Sequence, residues 1–270
     1  MKKHSIQLFS LVIFFFLTVS AQKNQQNSNK LQNLFKEWRS FEIPPIENGA
    51  PDYRKITFDK RFSEFLKLKS KLCNINKSSL STEEKVDWTL IWAEMNGYLF
   101  NYKVLRPWER DPAFYKTIWT SRSDVPAHEG PSHHNLVELW KYKFPLNSED
   151  KLKLISDLKV IPDLNKQAKQ NLIGNARDLW ITGIRTIKRQ STDLKSLLKR
   201  IDPLDKGIRK VIVDAISSTN EFIGWLEKEA INKNGPSGIG KENYTWYQKN
   251  VHLVPLTWEQ EVILLKNELA

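Results

Sequence analysis

Cysteine is almost absent from this 270-residue sequence, which contains only Cys73. A single cysteine cannot form an internal disulfide, so the sequence excludes a disulfide-stabilised scaffold and requires a hydrophobic core. Cys73 lies in the helix-like stretch FLKLKSKLCNI, and we expect it to be a small buried residue of that core. No histidine in the pattern is positioned to activate it as a nucleophile.

The alternation of apolar and polar residues that is typical of β-strands is also missing, and no segment repeats. Apolar residues recur instead every three or four positions, in stripes that include 164–201 and 203–232. We predict that these two stripes are long antiparallel helices, joined by the turn IDPLDKG. Prolines interrupt 106–145, where we expect one short helix at about Pro112–Thr120. The predicted fold is an all-α, irregular helical bundle with a Pro-rich, aromatic irregular segment.

A long apolar run occurs only near the N-terminus, from Ile6 to Val19. Lys2 and Lys3 precede it and small residues follow it, which is typical of a secretory signal peptide. The run is short for a membrane span, which needs roughly 20 apolar residues; the sequence nevertheless leaves open an uncleaved anchor. We predict a secreted or periplasmic protein without a membrane contact after cleavage. Its parts are a signal peptide (1–21), a polar linker (22–30) and a single helical domain (31–270).

Basic residues exceed acidic ones, and the formal net charge is +11. The lysines alternate with apolar residues in segments such as KLKLISDLK, as solvated helix faces do. We therefore predict no nucleic-acid partner.

The segment NGPSGIGKE places Gly235, Gly240 and Lys241 at the spacing of a phosphate-binding loop. Such a loop needs Ser or Thr after the lysine and a strand before the first glycine. This sequence has Glu242 at that position, and a helical stripe precedes the segment. We reject nucleotide binding and expect the glycines to end one helix and start the next.

Three of the five histidines lie in AHEGPSHH, residues 127–134. A zinc-peptidase helix needs a second histidine four residues after His128, where this sequence has Ser132. Gly130-Pro131 also makes a continuous helix unfavourable. The residues leave three interpretations open: histidines that order a loop, a His128–Glu129 contact within a substrate cleft, and a local metal site.

Three segments carry a family resemblance: WERDPAFY with the following SDVPAHEGP, NLIGNARDLWITGIR, and GPSGIGKENYTWYQKNVHLVPLTWEQEV. Together they resemble the bacterial family called Domain of Unknown Function 885. The strongest match is the Gly-Lys-Glu-x-Tyr core formed by Gly240, Lys241, Glu242 and Tyr244. The resemblance implies an exported, largely helical, zincin-like metallopeptidase relative.

In that family the zinc motif, of the His-Glu-x-x-Pro-Gly-His type, lies well downstream of the Gly-Lys-Glu-x-Tyr core. This sequence ends before that point, and the histidines of AHEGPSHH lie upstream of the core. The resemblance therefore implies an N-terminal, substrate-side portion that is inactive alone and has no catalytic residue, metal ligand or cofactor of its own. Zinc is expected only in a full-length relative, and a missing C-terminal half is an expected partner.

The last helical pattern stops at Ala270 without a cap, which indicates a truncated reading frame, with a helix that frays at its end as the alternative. Two further functions stay open. One is a self-contained exported protein that binds a peptide or is structural, and the other is an enzyme that uses the 127–134 segment locally. The substrate-contact candidates are His128, Glu129, Tyr244, Tyr247 and His252.

Overall fold

The computed structural model describes residues 29–121 and 137–270, and it confirms the all-α prediction. The helices are α1 (29–42), α2 (Lys55–Cys73), α3 (Thr82–Phe100), α4 (Pro107–Arg110), α5 (Ser148–Asn171), α6 (Arg177–Arg200), α7 (Lys206–Ala230), α8 (Lys241–Tyr247) and α9 (Trp258–Glu268). One-turn π-helices follow α3 and α8 directly, at Asn101–Leu105 and Gln248–His252. Two short strand pairs are also present: β1 (Ile46–Glu47) with β2 (Ala50–Pro51), antiparallel, and β3 (Ile118–Trp119) with β4 (Val137–Glu138), parallel. Single 3₁₀ turns lie at Lys77–Ser79, Pro112–Tyr115 and Leu139–Lys141.

The first three helices pack around an aromatic and aliphatic core of their own, whose largest buried members include Trp38, Phe65 and Met95. A capping box starts α3: the Ser81 side chain accepts from the Glu84 backbone, and the Glu84 side chain accepts from the Ser81 backbone. The second half of α3 has no exposed residue. In the first half, Val86 and Leu90 are exposed, while Trp88 packs against the core.

A second unit is formed by α5, α6 and α7, with α7 between the other two. One apolar cluster joins the first half of α5, the end of α6 and the start of α7. A second cluster joins the opposite ends of the same helices. The prediction that α6 and α7 pack antiparallel is therefore confirmed.

The single helix expected over 164–201 was wrong, because the chain is non-helical between Asn171 and Arg177. Buried Leu172 and Ala176 continue the apolar spacing across the break, so periodicity alone could not reveal it. Gly174 lies in the break and its N–H donates to Glu109 O at 2.8 Å. The Glu109 carbonyl of the Pro-rich segment thereby accepts the Gly174 N–H, which in a continuous helix would have donated to a carbonyl of the preceding turn.

The described part of the Pro-rich segment packs on α6. Pro112 lies so close to Gly183 that a Cβ on that glycine would approach Pro112 Cβ to 2.8 Å. Further along, Gln190 Oε1 accepts from the Thr117 backbone N–H at 2.7 Å. The short helix expected at Pro112–Thr120 is a 3₁₀ turn over Pro112–Tyr115 followed by β3, since Gln190 satisfies a backbone donor that a helix would have used.

Cys73 is exposed, and its prediction as a buried residue was wrong. Leu72 takes the buried position, since the helix turns about 100° between neighbours and only one of the two can face the core. None of the helices in the described ranges is both long and apolar enough to cross a membrane.

Candidate functional site

Two of the segments that carry the family resemblance meet at Arg110, at the C-terminal end of α4. Its guanidinium donates to the carbonyls of Val104 and Leu105, which end the first π-helix, at 3.4 Å each. It also donates to the carbonyls of Pro236 and Ser237, at 3.4 and 3.2 Å. One side chain therefore binds together backbone from regions that lie 126 residues or more apart in sequence.

The remaining segment of the resemblance, NLIGNARDLWITGIR, contacts the same region through Asn175. Asn175 Oδ1 accepts from the backbone N–H groups of Asn234 and Gly235, at 2.7 and 2.9 Å. The Gly235 carbonyl accepts in turn from Arg177 N at 3.1 Å. A Cβ on Gly235 would lie 2.2 Å from the Asn175 carbonyl oxygen, so glycine is required by the close approach of the two chains.

Ser237 supplies the N-terminal cap of α6, which its own Ala176 cannot provide. Ser237 Oγ accepts from Asp178 N at 2.8 Å and from Leu179 N at 3.3 Å. Gly240, with φ 82°, then starts α8, as expected from the sequence. The other half of that expectation was wrong, because α7 already ends at Ala230. The polar groups of Asn234, Gly235 and Ser237 in this Gly-rich segment thus form hydrogen bonds with the start of α6 and with Asn175.

Helices α8 and α9 are joined by polar contacts and ring packing. Tyr244 Oη donates to Glu261 Oε2 at 2.5 Å, and Trp258 N donates to Thr245 Oγ1 at 3.1 Å. The rings of Tyr244 and Trp258 meet edge to face, with centroids 5.2 Å apart. The hydrogen bond to Glu261 raises the pKa of Tyr244, because a phenolate beside a carboxylate is unfavourable.

Helix α8, the second π-helix and α9 form a C-terminal unit, and contacts of α8 and the second π-helix attach it to α3. Tyr247 packs edge to face on Phe100 and on His252, with centroids 4.9 and 4.8 Å apart. Asn96 Nδ2 donates to the Asn250 carbonyl at 3.1 Å, while Asn96 Oδ1 accepts from Lys69 Nζ at 2.6 Å. Burial lowers the pKa of Lys69. This chain of contacts connects α2, α3 and the second π-helix.

An open groove of about 420 Å³ lies between α8 and α9. We call it the α8–α9 groove. Its lining combines charged groups, hydroxyl and amide groups and one indole, from Lys241, Glu242, Thr245, Trp246, Lys249, Asn250, Thr257 and Glu259. The Trp246 ring stacks on Phe100 of α3 with centroids 5.6 Å apart, and this contact holds the indole in place. Such a surface offers hydrogen bonds, charge and one apolar contact to an extended ligand.

The predicted substrate-contact residues have different locations. His128 and Glu129 lie outside the described residues. Tyr244, Tyr247 and His252 come together in the C-terminal unit, where all three are half-buried. They hold that unit together, and the groove is lined by other residues of the same motif. Sequence reasoning selected the aromatic residues and missed Lys241, Thr245 and Lys249, whose spacing of four along α8 and the following turn was the available signal.

The described ranges bring no three His, Cys, Asp or Glu side chains together in a way that could hold a metal ion. The residues described here do not fit a zinc site, and we assign no metal-dependent step to them.

No family model matches the chain, and a search of curated proteins finds no match. Among solved structures, the chain is similar to a candidate lipoprotein of unknown function from Shewanella oneidensis, with a TM-score of 0.60 and 17% sequence identity. The similarity covers 92% of this chain and 46% of the Shewanella chain. It shows a shared fold, and this chain spans less than half the length of that protein.

Proposed function

We propose that this chain is the N-terminal, substrate-side portion of an exported zinc-metallopeptidase-like protein, and that its α8–α9 groove contacts peptide. The family resemblance suggests the peptidase class. One structural observation carries the proposal furthest: α9 presents apolar side chains to solvent.

Helix α9 buries none of its residues in the described structure. Ile263, Leu264 and Leu265 are 60, 49 and 59% exposed, and Leu269 is 87% exposed. Leaving three consecutive aliphatic side chains of α9, and Leu269 directly after it, in water is unfavourable. Exposed apolar patches are typical of interaction surfaces. A further part of the fold that packs on α9 would remove this cost.

The Shewanella structure supports the same proposal, because its chain is more than twice as long as the region that this protein matches. A chain of that length has room for a second part that packs on the equivalent surface. That protein is described as a candidate lipoprotein, which is an exported class, and this agrees with the signal-peptide pattern at residues 1–21.

A peptide is the ligand that suits the α8–α9 groove. Thr245 and Asn250 offer hydroxyl and amide groups to backbone N–H and C=O, and Trp246 offers an apolar surface. Its lining also contains charged side chains of both signs, including Lys241 and Glu259. The family resemblance would place the zinc and the general base of such a protein in its other part.

The DNA that follows the Ala270 codon provides the first test. We expect it to encode, in any frame, a His-Glu zinc motif. A downstream sequence without such a motif would overturn the zinc-metallopeptidase part of the proposal.

Co-expression tests the role of α9. The mature chain and the polypeptide encoded downstream should co-elute in size-exclusion chromatography, and the double variant Leu264→Asp/Leu265→Asp should abolish the complex. Asn267→Asp is the matched control, since it adds a charge to the same helix without removing an apolar side chain. Co-elution that survives the double variant would show that α9 is not the contact surface.

A self-contained peptide-binding protein is the second candidate, and the half-buried state of Tyr244, Tyr247 and His252 favours it, because complete burial would have excluded a cleft there. This candidate predicts that the chain alone binds a mixed peptide library, and that Trp246→Ala weakens binding. The first candidate predicts hydrolysis only when both parts are present.

A further inference from the structure

A second pocket, of about 270 Å³, lies between α2 and the first π-helix, and we call it the Arg106 pocket. It shares no lining residue with the α8–α9 groove. Its lining combines three aromatic rings with five charged side chains: Lys55, Phe58, Asp59, Tyr102, Lys103, Arg106, Trp108 and Glu109.

The π-helix determines which side chains reach this pocket. Residues Asn101–Leu105 insert one wide turn after α3, and the Arg106 N–H closes it by donating to Asn101 O at 2.8 Å. Arg106 then takes a left-handed conformation, with φ 43°, which is unfavourable for a residue with a side chain. Strained residues and π-turns both occur often at functional sites. Here they place Tyr102, Lys103 and Arg106 on one pocket.

The aromatic rings provide a continuous apolar surface. Phe58 stacks on Trp108 with centroids 3.8 Å apart, and Tyr102 lies 6.2 Å from Trp108. Tyr102 is itself supported from behind by Phe62, at 4.0 Å and nearly parallel. Phe58 and Tyr102 are half-buried, so part of this surface faces the pocket.

The carboxylates of the pocket are already engaged. Asp59 accepts from Lys55 Nζ at 2.6 Å and from Tyr102 Oη at 2.8 Å. Glu109 is buried and forms an ion pair with Arg106. Two cations remain accessible to a ligand: the Arg106 side chain is 43% exposed, and Lys103 is exposed with its Nζ 6.0 Å from the centroid of the Phe62 ring. Lys55 and Arg106 neutralise the two carboxylates, so the pocket keeps one net positive charge, that of Lys103, which favours an anionic ligand.

We propose that the Arg106 pocket binds a carboxylate that is attached to an aromatic ring. The ring would lie against Phe58 and Tyr102, while the carboxylate would meet Arg106, whose planar guanidinium suits two-point binding, and Lys103. A free aromatic acid and the C-terminal residue of a peptide share this chemistry. The inference does not rest on the peptidase proposal, because it concerns other residues.

Isothermal titration calorimetry on the mature chain tests the ligand class with four probes. N-acetyl-L-phenylalanine should bind, while N-acetyl-L-phenylalaninamide, which lacks the carboxylate, and acetate, which lacks the ring, should not. The peptide Gly-Gly-Phe with a free C-terminus should bind at least as well as N-acetyl-L-phenylalanine if the natural source is a peptide, and distinctly more weakly if it is a free acid. Equal binding of the acid and the amide would overturn the proposal, as would absence of binding by both carboxylate probes.

Two variants test the assigned residues. Arg106→Gly removes the guanidinium and adopts φ 43° without strain, so the backbone should be kept. It should weaken binding of the acid about tenfold or more, as expected for loss of a charged hydrogen bond. Lys103→Gln, at an exposed position, should weaken it several-fold. Lys60→Gln on α2, outside the pocket, is the matched control and should bind normally.

If Arg106→Gly does not fold, the result for Lys103→Gln decides. Unchanged affinity in every variant that folds would exclude the Arg106 pocket as the binding site.

Discussion

The hydroxyl of Tyr244 donates to Glu261 Oε2 at 2.5 Å, and this hydrogen bond fixes α9 against α8. The groove between the two helices depends on this bond together with the contacts of Trp258 to Tyr244 and Thr245, since α9 buries none of its residues in the described structure. A residue that appeared to be a substrate contact from its sequence therefore has a structural role at the side of the groove.

Tyr244→Phe should loosen α9. We expect a loss of about 1 kcal/mol for the local attachment, since one hydrogen bond to a charged group is removed and the ring packing on Trp258 remains. Limited proteolysis should then cleave faster at Lys266, at the end of α9. Ser217→Ala, at an exposed site on α7, should leave the rate unchanged. Equal cleavage of Tyr244→Phe and the unmodified chain would contradict the role given to this bond.

The same contact has a pH dependence. Glu261 raises the pKa of Tyr244, so the contribution of this bond is complete below the ordinary tyrosine pKa of 10.0 and is lost as pH rises through the higher folded value. Cleavage at Lys266 should therefore accelerate at alkaline pH in the unmodified chain, after correction for protease activity. In Tyr244→Phe the acceleration should be absent.

Gly235→Ala should destabilise the whole fold. Its Cβ would lie 2.2 Å from the Asn175 carbonyl oxygen, which belongs to backbone and cannot rotate away. We expect a loss of about 1–3 kcal/mol in the free energy of unfolding, which is typical of overpacking. Gly238→Ala is the matched control, because a Cβ there has no neighbour within 4 Å. Urea unfolding at pH 7 measures both, and equal midpoints would contradict the close packing at Gly235.

The range of each contact explains what the sequence could predict. Ser81 with Glu84, and Thr257 with Gln260, cap their helices over three residues, and a local pattern is sufficient to predict both helix starts. Arg110 binds Ser237 across 127 residues, and no local pattern contains that information. The break before α6 was missed for the same reason, because its cause is the distant Glu109 carbonyl.

In the candidate site, too, the features set by neighbouring residues could be predicted and those set by distant contacts could not. The glycine of the Gly-Lys-Glu-x-Tyr core predicted where α8 begins, because a helix start is a property of neighbouring residues. It could not predict that Tyr244 would face Glu261 while Thr245 faces the groove, since the position of α9 decides this and depends on tertiary packing.

Ser237→Ala should weaken the start of α6. Its Oγ accepts from two N–H groups of the first turn, and no side chain of α6 itself replaces it. We expect a loss of about 1 kcal/mol, as for other N-terminal caps. Hydrogen exchange should be faster at Asp178 and Leu179 than in the unmodified chain. Ser217→Ala, which removes an exposed hydroxyl within α7, should leave these two amides protected, and the same pattern in both variants would exclude the capping role.

Asp52 makes the stability of the chain depend on acid pH. Its carboxylate accepts from Arg54 Nε at 2.9 Å, from Arg54 Nη2 at 2.8 Å and from Thr57 Oγ1 at 2.6 Å, at the start of α2. The hydrogen bonds from Arg54 lower the pKa of the buried Asp52 carboxyl to about 2 from its ordinary value of 3.8. A lowered folded pKa stabilises the fold above pH 3.8, and this contribution is lost as pH falls towards 2.

Asp52→Asn should therefore cost about 2 kcal/mol at pH 7 and only a small fraction of that at pH 2, where half of the folded carboxyls of the unmodified chain are protonated. Urea unfolding at pH 7, 4 and 2 measures the difference. Asp214→Asn removes an exposed i,i+4 ion pair with Lys210 on α7 and should cost much less at every pH, since exposed pairs contribute little. A constant difference between Asp52→Asn and the unmodified chain across this range would mean that the Arg54 contacts do not stabilise the charged form of Asp52.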